Sequence, residues 1–500
     1  MKETILALLP QNLTFINFAF FVALALTFAL YFLVPLKAQK FVLLGASLAF
    51  YATWGITQFS FVAVAALTAW GGALAISSAK TKRKKLVLLW LSVAILLSML
   101  LYVKIGKLFL DAQSLVIPLG ISYYTFSVVG YLADVYWGKE KAERNFSKLT
   151  LFILYFPKIL EGPIERFRPL ADELWEGHRF DYKQFCFGLQ LMVYGAFKKL
   201  VIADRISVLT GKIFSIDNLG DYGGALVIVG AMLRALHMYA DFSGCMDMAL
   251  GMSQAMGIRL MPNFQRPFFA KSAAEFWRRW HITLGSWCKS YISMPITINP
   301  TLIKLTGKIR SRFGKRAGRT FITAIPLYAV WFLTGMWHGT GRGYLAWGMY
   351  YGTIIFISMA FEPELKKLTQ TLRINTEAKS YGVFRMLRTF LIFSFGRLLT
   401  VQHFRDQFKK IIFDFRPWQL FDGTLFNMGL DRPNFAVLLI ALCLMWRISL
   451  AQEKGSLRES VAGYNIVFRW LLYLGAVFAV LIFGMYGPGF NASDFAYMQF

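Results

Sequence analysis

One histidine lies where a long apolar stretch ends. His338 follows Trp337 in an apolar run that begins near Phe321. A helix of about fifteen residues advances roughly 22 Å, which would place this imidazole well inside a membrane. Ionisable side chains at that depth are rare and usually functional, and burial favours the neutral ring, which can act as a base. The alternative is a histidine that hydrogen-bonds two helices together. Room for a substrate or for bent backbone would come from the glycines around it, Gly335, Gly339, Gly341 and Gly343.

A second histidine ends a short aromatic and basic segment. The sequence Lys271-Ser-Ala-Ala-Glu-Phe-Trp-Arg-Arg-Trp-His281 contains Ser272 and Glu275 at the S-x-x-E spacing of a capping box. The spacing predicts a helix that begins near residue 273. His281 would lie on the same side of this helix as Trp277 and is therefore a candidate site residue.

Apolar side chains continue this pattern at intervals of three or four residues as far as Tyr291. Arg278, Arg279 and Lys289 carry charge on the neighbouring faces, so the pattern predicts one amphipathic helix in or at the cytoplasmic leaflet. Such a helix is either a lipid anchor or part of a site. If it is a site, the candidate pocket residues are Trp277, Arg278, Trp280, Asp241 and Trp337.

Asp241 and Asp247 place two acids in an otherwise apolar stretch, where they could pair with arginines or hold a histidine. The chain contains no HExxH zinc motif, no GxSxG elbow and no Walker lysine loop. The four cysteines have no metal-ligand spacing, and they are Cys186, Cys245, Cys288 and Cys443. The sequence therefore predicts no metal site and no permanently bound cofactor.

The composition indicates that these candidate residues belong to a membrane protein. Hydrophobic residues make up 57% of the 500 residues and charged residues only 16%, with a mean hydropathy of +0.50. Lipid must therefore solvate most of the surface, which excludes a soluble enzyme and a disordered regulator. Apolar runs of membrane length recur along the chain and predict about ten to twelve crossings. The runs are 13–36, 40–55, 57–79, 86–103, 115–137, 146–160, 183–203, 223–251, 321–337, 344–361, 384–400, 434–450 and 466–487.

The basic residues that give the net charge of +27 gather in the loops between these runs. Lysine and arginine in short loops stay cytoplasmic, so the charge indicates membrane orientation and excludes nucleic acid as a partner. Residues 80–85 anchor the cytoplasmic side, and so do residues 257–320, with 13 Lys or Arg against one acid, and residues 362–388. Both chain ends would then lie outside. The absence of internal repeats counts against the alternative of a transporter or flippase for an anionic lipid-linked substrate.

Several stretches together resemble the membrane-bound O-acyltransferase superfamily. The specific signal is the pair Glu275-Phe-Trp-Arg-Arg-Trp-His281 and Trp337-His338-Gly339 in this order, with Tyr239-Ala-Asp-Phe-Ser-Gly244 and Gly162-Pro-Ile-Glu-Arg-Phe167 before them. Leu119-Gly-Ile-Ser-Tyr-Tyr-Thr-Phe126 and Asn263-Phe-Gln-Arg-Pro-Phe268 also fit. The resemblance runs from about residue 13 to the C-terminus and points to the bacterial branch that modifies alginate and teichoic acid. Cys245-Met246 departs from the alginate-type pattern.

This resemblance implies one all-helical membrane domain over residues 1–500, with a ring of tilted helices around a central tunnel. It makes His338 the catalytic histidine and His281 the supporting one. The implied reaction moves an acyl group, most often acetyl, from a cytoplasmic acyl-CoA or acyl-phosphopantetheine carrier protein to a hydroxyl of an external polymer. Membrane lipid, a polymer acceptor and an extracytoplasmic acyltransferase partner are implied too, in a bacterial inner membrane. D-alanyl transfer to teichoic acid is the alternative within this class.

The last residues, 488–500, form an aromatic tail with the ending Phe495-Ala-Tyr-Met-Gln-Phe500. It resembles the tails of alginate-type members and of the small helper protein in D-alanylation. Tyr497 either enters the tunnel from outside and carries the acyl group transiently, or anchors the tail at the interface, a zone that tyrosine favours.

Replacing Tyr497 by Phe separates these two roles, because the change removes only the hydroxyl that would carry the acyl group. We expect Tyr497→Phe to abolish acyl transfer to the external acceptor, measured with purified protein in vesicles. Unchanged transfer would leave Tyr497 as an interfacial anchor.

Overall fold

The computed structural model describes residues 12–109, 117–218, 220–339 and 341–486, and most of these residues are helical. The α-helices, numbered in chain order, are α1 Phe18–Leu33, α2 Gln39–Ala52, α3 Ile56–Ser78, α4 Lys82–Phe109, α5 Ile121–Tyr136, α6 Phe146–Leu154, α7 Phe156–Ile159, α8 Phe167–Trp175, α9 Tyr182–Ala196, α10 Asp204–Ile213, α11 Gly224–Ala255, α12 Ala273–Arg279, α13 Ile282–Cys288, α14 Met294–Thr297, α15 Pro300–His338, α16 Arg342–Ala360, α17 Glu362–Thr371, α18 Lys379–Leu398, α19 Phe404–Phe413, α20 Arg432–Lys454, α21 Leu457–Ala462 and α22 Ile466–Phe483. π-Helical turns cover Phe197–Ala203 and Lys289–Ser293.

The predicted class, an all-helical multi-pass membrane protein, is confirmed. Within the described ranges, 7 helical segments are long and apolar enough to cross a membrane, or 8 if the bent pair α16 and α17 forms one span. The 7 are α3, α4, Tyr182–Ile213, α11, α15, α20 and α22. This is fewer than the ten to twelve crossings predicted, because several apolar runs fold into shorter helices. For example, α1 has 16 residues and α2 has 14, whereas about 20 residues cross a bilayer.

The helices group into two compact units. Unit 1 contains Met1–Leu200, Asp241–Pro262 and Lys454–Phe500. Unit 2 contains Val201–Ala240 and Asn263–Glu453. Both histidines of the predicted site therefore belong to unit 2.

Glycines bring two helical segments of unit 1 into backbone contact. A Cβ atom at Gly188 of α9 would lie 2.5 Å from the carbonyl oxygen of Gly251 in α11. One at Gly195 would lie 2.6 Å from the carbonyl oxygen of Gly244. Helices that pack through small residues gain close van der Waals contact, which drives association where lipid provides no hydrophobic force.

Unit 1 also buries two ion pairs beside this glycine contact. Lys199 Nζ donates to Asp241 Oδ1 at 2.7 Å, and both side chains are inaccessible to solvent. Lys198 Nζ lies 2.8 Å from Asp247 Oδ2 and 2.8 Å from Ser243 Oγ. The two acids noted in the sequence thus pair with consecutive lysines of a π-helical turn.

In unit 2, α15 packs along α16 so closely that the two backbones are in contact. A Cβ atom at Gly348 would lie 2.4 Å from the carbonyl oxygen of Trp331, and one at Gly335 would lie 2.8 Å from that of Tyr344. α15 bends at Gly314, whose φ of 89° suits glycine. Its straight part after the bend ends at His338, so the contact with α16 fixes the position of that imidazole.

Breaking one buried ion pair should destabilise the protein strongly. Lys199→Met leaves the Asp241 carboxylate buried without its counter-ion, which costs about 3–5 kcal/mol in such pairs. We expect a lower midpoint of thermal unfolding in detergent micelles and partial recovery in the double variant Lys199→Met/Asp241→Leu. Lys183→Met is the matched control, because Lys183 and its partner Glu459 are half exposed and such pairs contribute about 1 kcal/mol or less. Equal losses in Lys199→Met and Lys183→Met would contradict the assignment.

Candidate active site

The helix predicted from residue 273 begins where the capping box places it. Ser272 Oγ accepts a hydrogen bond from the Glu275 N–H at 3.2 Å, and α12 starts at Ala273. The Glu275 carboxylate reaches back one residue further than in a reciprocal capping box and accepts from the Lys271 N–H at 2.8 Å. The predicted start is confirmed.

The prediction of one continuous helix as far as Tyr291 is wrong. The chain breaks at His281, which adopts the left-handed backbone conformation with φ 46° and ψ 54° between α12 and α13. A non-glycine residue in that conformation is uncommon and needs support from its surroundings. The apolar stripe is also buried in protein and does not face lipid as an anchor would, since Phe276 and Trp280 are 1% and 3% exposed.

Asn263 supplies the support at His281. Its backbone carbonyl accepts from the Ile282 N–H at 3.0 Å. Its side-chain Oδ1 accepts from the N–H and the hydroxyl of Thr283 at 3.0 and 2.9 Å, and lies 3.2 Å from His281 Nδ1. Because the Thr283 N–H can only donate, the shared atom of Asn263 is an acceptor, and His281 Nδ1 must therefore carry the proton. The neutral ring then presents Nε2 as its hydrogen-bond acceptor.

Burial sets the charge of this ring. His281 lies in the segment between the membrane-spanning helices α11 and α15, and burial lowers its pKa to about 3. The imidazole is therefore neutral at physiological pH, which agrees with the tautomer that Asn263 fixes.

His338 is the last residue of α15 and is buried as well. Its ring centroid lies 4.5 Å from that of Trp337 and 4.7 Å from that of Trp347, the latter edge-on. The Trp337 ring also lies 6.4 Å from the His281 ring. The two imidazoles therefore contact the same indole and are at most 10.9 Å apart, the sum of the two centroid distances through Trp337.

Aromatic side chains of unit 2 enclose this pair. Trp277 packs against Trp331 at 4.9 Å and against Tyr351 at 4.8 Å between ring centroids. Trp347 contacts both Trp277, at 5.7 Å, and His338. Trp280 lies against Phe264 at 5.0 Å. The predicted residues Trp277, Trp280 and Trp337 are thus brought together around the histidines in an apolar surround.

The glycines near His338 serve packing. A Cβ atom at Gly339 would lie 2.3 Å from the Tyr344 ring, and one at Gly343 would lie 2.2 Å from the carbonyl oxygen of Leu399. With Gly335 already against α16, three of the four glycines let neighbouring chain approach closely. The space that their missing side chains leave is filled by protein, and room for a substrate must come from elsewhere.

An apolar cavity of about 260 Å³ lies close to this cluster in unit 2. Tyr239 and Phe268 form part of its wall. Tyr239 packs against Trp280 at 6.2 Å, and Phe268 packs against Phe276 at 6.2 Å. Neither histidine lines the cavity, so it is separate from the reacting groups.

The remaining predicted site residues have the following surroundings. Arg278 is exposed on α12. Asp241 is ion-paired with Lys199 in unit 1. Tyr497 and the tail 488–500 lie outside the described residues. The residues that reasoning from the sequence missed are Asn263, Thr283 and Trp347. Asn263 is the first residue of the stretch 263–268 that resembles the family, and this was the available signal. No sequence pattern indicates Thr283 or Trp347.

The fold and site define a class: a multi-pass membrane protein in which two buried histidines, at least one of them neutral, meet in an apolar, aromatic enclosure. Such an enclosure suits proton transfer to and from a hydroxyl or thiol. The family model of membrane-bound O-acyltransferases matches residues 143–305, which include His281.

Similarity to known proteins extends over most of the chain. It is 30% identical over 447 residues to the probable alginate O-acetylase of Pseudomonas syringae pv. tomato, covering 85% of this chain and 79% of that protein. It is 26% identical to a peptidoglycan O-acetyltransferase of Helicobacter pylori, covering 65% of this chain and 66% of that protein. It is 29% identical to a teichoic acid D-alanyltransferase of Bacillus subtilis, covering 51% and 62%. The chain belongs to the membrane-bound O-acyltransferase family and is an acyltransferase.

The low pKa of His281 predicts a pH dependence of stability. An unfolded histidine titrates near 6.5, whereas the folded ring titrates at about 3. Between these values the unfolded state binds more protons, so stability falls as the pH is lowered. This residue should contribute a loss of about 2 kcal/mol between pH 7 and pH 5.

His281→Asn removes the titrating ring, and asparagine tolerates the left-handed backbone. We expect the unfolding midpoint of this variant to depend less on pH than that of the wild type. His403→Asn is the matched control, because His403 also has a positive φ of 52° but its side chain is half exposed. Identical pH dependence in the wild type and His281→Asn would refute the assignment.

Proposed function

We propose that this protein moves an acyl group, which we take to be acetyl, from a cytoplasmic thioester to a hydroxyl on the outer side of the membrane. The reaction serves O-acylation of a cell-surface or secreted polysaccharide. The observation that carries the proposal is the pair of buried imidazoles of His281 and His338, whose rings both lie near the ring of Trp337. The enclosure excludes water, which would otherwise hydrolyse the thioester.

In this reaction His338 acts as the general base. Its imidazole takes the proton from the acceptor hydroxyl as the oxygen attacks the thioester carbonyl. The tetrahedral intermediate then expels the thiolate, and the imidazolium returns the proton to sulfur. The products are an ester and a free thiol, no net proton is consumed, and the ring is regenerated neutral.

His281 supports this step without changing charge. Asn263 fixes the proton on Nδ1, so that Nε2 carries the lone pair and is the hydrogen-bond acceptor of the neutral ring. A hydrogen bond to Nε2 from the hydroxyl or from an ordered water would orient the acceptor. The aromatic enclosure restrains the ring, and this orientation is the contribution of His281.

The donor is an acyl-CoA or an acyl-phosphopantetheine carrier protein. Both present a thioester on a phosphate-bearing arm, and the basic segments 257–320 and 362–388 suit such an anionic arm on the cytoplasmic side. The thioester is already activated, so the mechanism needs no metal.

The acceptor side rests on the relatives. Alginate and peptidoglycan O-acetylation are the activities in the names of two of them. This supports a place in a bacterial inner membrane and hand-off of the acyl group to the polymer or to an extracytoplasmic acyltransferase. The similarity to a D-alanyltransferase supports D-alanyl transfer to teichoic acid as the second candidate.

Loss of the base should remove most of the activity. General-base catalysis contributes about 10²–10⁴-fold to such reactions, so His338→Ala should lower kcat of acyl transfer by at least about a hundredfold. The measurement is transfer of a radiolabelled acetyl group from acetyl-CoA to an oligosaccharide acceptor by purified protein in vesicles.

The control is His403→Ala, which removes a half-exposed histidine outside the site. The unfolding midpoint of each variant shows whether the fold is intact. A folded His338→Ala protein with wild-type kcat would contradict the proposed role of His338 as general base.

A further inference from the structure

Three cations of unit 2 lie along one face of α18, and none of them forms an ion pair with a carboxylate among the described residues. Arg385 Nε donates to the backbone carbonyl of Lys271 at 3.1 Å, and Arg388 Nη2 donates to the same carbonyl at 3.0 Å. The two guanidinium donors are therefore at most 6.1 Å apart, the sum of these distances. The Lys271 ammonium lies over Gly382, where an added Cβ atom would be 3.9 Å from Nζ.

These positions form a stripe. Residues 382, 385 and 388 are three apart and so share one face of a helix. The stripe spans six residues, or about 9 Å along the axis. We call Lys271, Arg385 and Arg388 the basic stripe.

The basic stripe has no counter-ion among the described residues. None of its three cations forms an ion pair there. Glu275 accepts from the Lys271 backbone N–H and is itself paired with Arg279 at 2.6 Å. Like charges held this close repel one another, and a bound anion would relieve that repulsion.

We propose that the basic stripe binds the diphosphate of a coenzyme A-type donor. Two guanidinium groups on one carbonyl suit one phosphate, which arginine recognises through paired N–H groups, and the ammonium one turn away suits a second. A carrier protein joins its pantetheine arm through a single phosphodiester and would leave part of the stripe unsatisfied. This inference rests on the proposed function and chooses between its two donor classes.

The position of the stripe agrees with this assignment. Lys271 lies two residues before the start of α12, and α12 ends two residues before His281. The stripe also belongs to the two segments, 257–320 and 362–388, that the charge pattern places on the cytoplasmic side.

The test is equilibrium binding to the purified full-length protein in neutral detergent, with coenzyme A and 4′-phosphopantetheine as the two probes. We expect coenzyme A to bind at least about tenfold more tightly, since each charge-assisted contact contributes about that factor. Arg385→Gln/Arg388→Gln should weaken coenzyme A binding by tenfold or more and phosphopantetheine binding by less. Lys366→Gln/Lys367→Gln, which removes two exposed cations outside the stripe, should change neither.

Gly382→Glu provides a second variant in case the double variant fails to fold. It places a carboxylate next to the Lys271 ammonium and leaves the hydrogen bonds of both arginines intact, so coenzyme A binding should also weaken by about tenfold. Equal affinities for the two probes, or variants that bind as the wild type does, would overturn the proposal and leave a carrier protein as donor.

Lipid headgroups are the other source of phosphate, and nanodiscs distinguish them. Binding of coenzyme A should persist in both phosphatidylcholine and phosphatidylglycerol nanodiscs. Loss of coenzyme A binding in the phosphatidylglycerol nanodiscs alone would show that the basic stripe binds lipid headgroups, and it would overturn the proposal. His338→Ala should bind coenzyme A normally. A failure of the acyltransferase mechanism would therefore be visible in turnover, and a failure of the stripe in binding.

Discussion

The geometry of the site depends on the side-chain oxygen of one buried amide. Asn263 Oδ1 accepts from the backbone N–H and the hydroxyl of Thr283 and from the His281 ring. In an apolar interior no water can replace a lost partner, so a network of this kind is stable only when complete. The same three bonds hold His281 in a left-handed conformation that would be costly by itself. Ring orientation, tautomer and the break between α12 and α13 thus have one cause.

A second constraint acts on His338. Its place is set by contact between α15 and α16, where glycines at 335 and 348 allow the two backbones to touch. Close packing of this kind leaves little freedom for α15 to rotate. Trp331 and Trp337 project from one helix and Trp347 and Tyr351 from the other, so the aromatic enclosure forms from the same contact that fixes the histidine. These rings take the place of water beside the imidazole.

Much of this could be predicted from the sequence, and the exceptions have physical reasons. Composition was enough to predict a helical membrane protein, and the S-x-x-E spacing located the start of α12, because both depend on local or average properties. The break at His281 could not be predicted, since the apolar spacing continues through it and the hydrogen bonds that cause it come from Asn263, eighteen residues earlier. Among the described residues the long apolar helices number seven or eight, fewer than the predicted crossings, because hydropathy does not show where an apolar run stops being helical. Asp241 was named as a candidate because of its position in an apolar stretch, and that position could not predict its ion pair with Lys199.

The basic stripe differs from other cations of the chain, both buried and exposed, that pair with a carboxylate. Lys198 and Lys199 are each within 2.8 Å of a carboxylate, as expected where an isolated charge would be too costly to bury. Arg316, although exposed, is bonded to Glu364. Lys271, Arg385 and Arg388 converge without such a partner. Solvent can tolerate this arrangement at a surface, but repulsion makes it less favourable than spreading the same charges apart. Orientation in the membrane needs only that cations lie on the cytoplasmic side and sets no requirement on their mutual distance. Their convergence on one carbonyl beside α12 is therefore better explained by an anion that they share than by topology alone.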